Sequence, residues 1–205
     1  MLASGCINGF ALGIISTALI IYIIDEVVKD PVFLGMLMSV AASAAVPALL
    51  LSGFLSDKLR RRKSLVVAGY VAGFTALYLV PLVREYTHLL LLTSLATAIF
   101  ALSEPAMRAL QADLVTSQVR GTIFGTQQFT FNVGVVAGAV IGGYLSQIYG
   151  GVKIVLASTV LSGYAVPLWI AASLVAATTV AFALYVKEAA SEEASDTLSY
   201  LDSVI

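Results

Sequence analysis

Six stretches of mostly apolar residues divide the sequence, at 2–24, 32–55, 64–83, 88–112, 121–148 and 165–186. Each approaches or exceeds the roughly 20 residues that a helix needs to cross the hydrocarbon of a bilayer. Of the 205 residues, 60% are apolar and only 11% are charged, against about 25% charged in a soluble domain. A water-soluble fold of this length cannot hide that much apolar surface. The composition therefore excludes a soluble enzyme, a nucleic-acid-binding domain and a disordered chain, and predicts an all-α membrane protein with the lipid bilayer as its solvent. A lone cysteine, Cys6, excludes an internal disulfide, and a lone histidine, His88, leaves little for metal chemistry. Neither a metal nor a cofactor is expected, and a net charge of −1 calls for no nucleic-acid partner.

The loops set the orientation. Lys58, Arg60, Arg61, Arg62, Lys63, Arg108, Arg120 and Lys187 fall on one side, and only Lys29, Arg84 and Lys153 on the other. Positive residues stay cytoplasmic, so the expectation is a multi-pass protein of the cell membrane with both termini inside. Residues 1–186 form the helical bundle. Residues 187–205 turn acidic and read as a solvated tail or linker. Gly150 to Tyr164 is apolar but rich in glycine and serine, and is expected to be an interfacial or re-entrant piece.

The second and fifth spans resemble each other at an offset of 90 residues: Gly35 matches Gly125, and Gly53-Phe54-Leu55-Ser56 matches Gly143-Tyr144-Leu145-Ser146. With three spans between their starts, the two cross in opposite senses. This is the pattern of a 3+3 inverted repeat, residues 1–83 and 88–186.

The turn between spans two and three reads Gly53-x-Leu55-x-Asp57-Lys58-x-x-Arg61-Arg62. Glycine permits close helix approach, Asp57 sits where it could cap a helix, and the basic run meets lipid headgroups. In span five, Gly134-x-x-x-Gly138-Ala139-x-x-Gly142-Gly143 makes one smooth packing face.

These motifs resemble those of the major facilitator superfamily. Its loop signature is Gly-x-Leu-x-Asp-Arg/Lys-x-Gly-Arg-Arg/Lys, matched here except that Arg60 replaces the second glycine. The resemblance implies a conformational latch in which Asp57 packs on the opposite half, while Arg61 and Asp113 form a charge relay. The family's fifth-span antiporter signature is matched in four glycines, with Ala139 in place of the proline that bends the helix. The family's membrane-embedded fourth-span arginine is not found, and Arg108 lies near the cytoplasmic end. The resemblance covers six spans, half the usual twelve. It implies half of a major-facilitator-type fold that needs a second six-helix half, as a separate chain or in a homodimer.

Polar groups inside the hydrocarbon are costly and usually face a cavity or a bundle interior. Glu104 is the one carboxylate within an apolar run. Asn8 and Gln128 lie at matching depth, about 10–12 Å from the cytoplasmic surface at 1.5 Å per residue, with Asn132 one turn beyond Gln128. Glu104, Asn8, Gln128 and Asn132 are the candidate substrate or proton site, with Gln127 a weaker candidate. Each has a structural alternative, namely bonding across a helix interface. The resemblance implies a cavity lined by spans one, two, four and five, with three and six peripheral. The expected function is secondary active transport of a small solute by alternating access, with proton coupling left open. A channel-like or non-transporting six-helix module is the alternative. The chain shows no nucleophile–base pair of an intramembrane enzyme.

Overall fold

A computed structural model describes residues 2–59, 62–113, 115–116, 118–156 and 159–185. Six long helices dominate it: α1 (Leu2–Tyr22), α2 (Pro31–Leu59), α3 (Arg62–Leu79), α4 (Tyr86–Asp113), α5 (Arg120–Tyr149) and α6 (Ala165–Tyr185). All six are long and apolar enough to cross a membrane. Hydrocarbon offers no partner to a backbone amide, so each crossing must bond internally. Several hydroxyls do likewise. Thr93, Thr97, Thr126 and Thr130 each donate to the carbonyl four residues back and stay satisfied within their own helix.

The helices pack in the order α5–α1–α6–α3–α4–α2, with little contact between α1 and α2 or between α4 and α5. Exchanging α1 with α4, α2 with α5 and α3 with α6 reproduces the same set of neighbours. Each three-helix repeat thus lends its middle helix to the other: α2 packs on α4, and α5 on α1. That is the packing signature of an inverted repeat.

Small residues set how closely the paired helices approach. A Cβ at Gly9 would fall 2.1 Å from the Phe131 carbonyl oxygen, and one at Gly138 would fall 2.0 Å from that of Phe10. Gly134 and Gly142 meet the α1 backbone at Cys6 and Ile14, whereas Gly143 has only an ordinary contact with the Thr17 methyl. Where α3 meets α4, Gly69 and Gly73 lie against Ser103 and Phe100. Beside Pro105, which removes one helix amide, Ser52 of α2 donates to the Leu102 carbonyl. The Arg120 guanidinium bonds the carbonyls of Ala112 and Val115, taking up acceptors that the end of α4 leaves free.

At the end away from the Lys58–Lys63 loop, α1 closes with a π-helical turn, Ile23–Val27, in which the Val28 amide reaches the Ile23 carbonyl at 2.8 Å. Between α5 and α6 lies an antiparallel β-hairpin, β1 (Lys153–Leu156) and β2 (Thr159–Ser162). The sequence reading of 150–164 as an interfacial or re-entrant piece does not anticipate strands; in this hairpin each strand pairs one edge of its backbone with the other. The hairpin is tied to the π turn. Ser162 donates to Glu26 at 3.0 Å and the Tyr164 hydroxyl donates to Asp25. Tyr22, edge-on to Tyr164, bonds the Val83 carbonyl at 2.7 Å. Burial, then the Asp25 carboxylate, push the Tyr164 phenol up to about 12.

Gly138→Val should destabilise the detergent-solubilised bundle by about 1–3 kcal/mol or more, the range for overpacking, whereas Gly125→Ala, which meets nothing within 4 Å, should melt like the parent. Equal melting temperatures would contradict the α1–α5 contact. A raised phenol pKa means the folded state holds the proton more tightly. The Tyr164 contribution should therefore be complete below pH 10 and be lost as pH rises towards 12. A phenolate difference spectrum between parent and Tyr164→Phe locates that midpoint, and a value near 10 would contradict the clamp.

Candidate functional site

Near the end that carries the Lys58–Lys63 loop, α1, α3, α4 and α5 enclose an open cleft of about 190 Å³. Ser4, Gly5 and Asn8 of α1 form one wall. A Cβ at Gly5 would meet the Gln127 side chain of α5 only in ordinary contact. Gln127, Gln128, Phe124 and Phe131 form the α5 wall, and Glu104, Met107, Arg108 and Gln111 the α4 wall. Tyr70 of α3 completes the lining.

The structure therefore gathers Asn8, Glu104 and Gln128 around one space. Asn132 does not line it, but its Oδ1 accepts from Gln128 Nε2 at 3.5 Å, within α5. Asn8 is partly committed as well: its Oδ1 accepts from Thr178 of α6 at 2.6 Å. It has left to offer its amide NH₂ and the second lone pair of that oxygen. Glu104 Oε2 accepts from Arg108 Nε at 3.1 Å, one helical turn on.

Two features differ from the sequence expectation. α3 supplies Tyr70 and α2 supplies no lining residue. The reason is packing: the Gly69-x-x-x-Gly73 face draws α3 against α4 and sets Tyr70 beside Glu104, while α2 lies against the other side of α4. Arg108, which the sequence places near a helix end, faces the cleft as the partner of Glu104. Gln111, buried, and Tyr70 are site residues that carry no charge to signal them.

Of the loop residues, Gly53 stands in open space. Arg61 and the side chains of Leu55, Asp57, Lys58, Arg62 and Asp113 lie outside the described residues, as does the 187–205 tail. Among the described residues, no group of three metal-ligating side chains occurs.

The family description Major Facilitator Superfamily matches residues 1–199. The chain belongs to the major facilitator superfamily. Two curated relatives of this superfamily chain are a "Na(+), Li(+), K(+)/H(+) antiporter" of Planococcus maritimus, 29% identical over 131 residues, and the "Uncharacterized MFS-type transporter YqjV" of Bacillus subtilis (strain 168), 26% identical over 117 residues. The matched stretches cover 62% and 56% of this chain but only 30% and 28% of those relatives. The chain thus spans under a third of the length of these relatives in alignment.

In a Cys6→Ala background, Gln128→Cys should react with a small water-soluble thiol reagent. Leu168→Cys, at a position with no exposure, should stay unlabelled. Equal protection of both would contradict an open cleft.

Proposed function

We propose that the chain forms half of a secondary carrier that moves a small cation by alternating access, with Glu104 as the group that binds it. The carrying observation is that, among the described residues, the one carboxylate lining the cleft lies among amide side chains of α1 and α5. A charge at that depth is expensive and is kept where it has a partner. One relative is by name an antiporter of alkali cations and protons, which supports the same chemistry. A proton competes for the same oxygen atoms, which couples transport to pH.

A second six-helix half completes this carrier. α2 and α5 are the least buried spans, at 17% and 22% against 33–44% for the others, and α5 forms one wall of the open cleft. A second half seated on them would close the site on its far side. The latch roles of Asp57, Arg61 and Asp113, and a cytoplasmic placement of both termini, belong to the same reading.

Glu104→Gln, assayed for Na⁺ uptake into vesicles at several pH values, should lower transport by about tenfold or more, the scale on which loss of a charged bonding partner acts. Its residual flux should be independent of pH. Unchanged, pH-dependent uptake would overturn the assignment.

A further inference from the structure

We propose that Arg108 is a tethered cation that competes with the transported cation for Glu104. The inference rests on the reading of Glu104 as the cation site and adds the device that sets its affinity.

Arg108 lies one turn along α4 from Glu104, and its Nε donates to Oε2 at 3.1 Å. Both side chains border the same cleft. Neither is locked in place, since 70% of the Arg108 side chain and 52% of that of Glu104 are exposed. A cation arriving at Glu104 meets a carboxylate oxygen already occupied by a guanidinium. The planar guanidinium matches a carboxylate well, and its tether to α4 keeps this competitor at the site.

The rest of the cleft offers the incoming ion oxygen ligands but no second anion among the described residues. Gln128 directs its nitrogen to Asn132, which leaves its Oε1 free. Asn8 Oδ1 already accepts one hydrogen bond, from Thr178. Binding therefore depends on how readily Arg108 gives up the carboxylate. Once the ion leaves, Arg108 returns and the empty cleft holds a neutral pair. An unpaired carboxylate enclosed by protein would be costly, so the pair lets the vacant site close without an ion.

The test uses Na⁺ protection of Glu104 against a hydrophobic carbodiimide, read by mass spectrometry of the modified peptide at fixed pH and ionic strength. Glu104→Gln, which should remove the modification, identifies the labelled carboxyl. Arg108→Gln and Arg108→Ala should each reach half-protection at a Na⁺ concentration at least about fivefold lower than the parent, the lower end of ordinary coupling between two sites. Arg108→Lys, which keeps a tethered charge, should stay close to the parent. Side-chain exposure makes these substitutions compatible with folding, and a melting curve of each variant verifies it. Parental half-protection in both neutral variants would overturn the inference while leaving the cation site intact. Failure of Na⁺ to protect Glu104 in the parent and every variant would instead sink the cation site, and the inference with it.

Discussion

Direct backbone contact between α1 and α5 is the constraint on which the rest of the bundle depends. Lipid tails are as apolar as leucine, so helices in a bilayer gain no hydrophobic reward for meeting. They associate where their surfaces fit. Gly9 and Gly13 on α1 meet Phe131 and Val135 on α5, and Gly134, Gly138 and Gly142 meet Cys6, Phe10 and Ile14 in return. The same face reaches the cleft. At Gly5 a Cβ would meet Gln127 Cγ only at 3.6 Å, and the amide wall of the site begins there. Packing and site geometry are consecutive turns of one helix pair.

The symmetry of the fold explains why the opposite wall differs. α4 and α2 repeat the α1–α5 pairing, and α3–α4 repeats α6–α1. Where α6 offers Thr178 to Asn8, α3 offers Tyr70 beside Glu104. One side of the cleft thus holds neutral hydrogen-bonding groups and the other holds a charged pair. That asymmetry within a symmetric frame gives the site its polarity. At the far end, the hairpin and π turn join α1 to α6 through Asp25, Glu26, Ser162 and Tyr164, so the bundle is fastened at the end opposite its opening.

The six helices are legible in the sequence because bilayer thickness demands a length that few other structures need. The common level of Asn8, Glu104 and Gln128 along the bundle is legible for the same reason, since helical rise converts position into height. What resists reading is azimuth. Depth alone cannot tell that Gln127 lines the cleft, that Asn132 does not, or that Arg108 faces Glu104. Tyr70 carries no charge, and an aromatic in a span reads as packing. Its signal is the Gly69-x-x-x-Gly73 spacing on either side, which marks α3 as a close neighbour. The β-hairpin is hidden because short apolar runs do not distinguish a strand from other buried segments.

If the chain, in its native assembly with any second half, carries a cation by alternating access, internal and external ions must exchange through one saturable site. Counterflow tests this directly. Proteoliposomes preloaded with unlabelled Na⁺ are diluted into trace ²²Na⁺, and the interior label is followed over time. Alternating access predicts a transient accumulation above equilibrium that saturates with Na⁺ and is lost in Glu104→Gln. A linear, unsaturable entry of label with no overshoot would identify a channel-like path and contradict it.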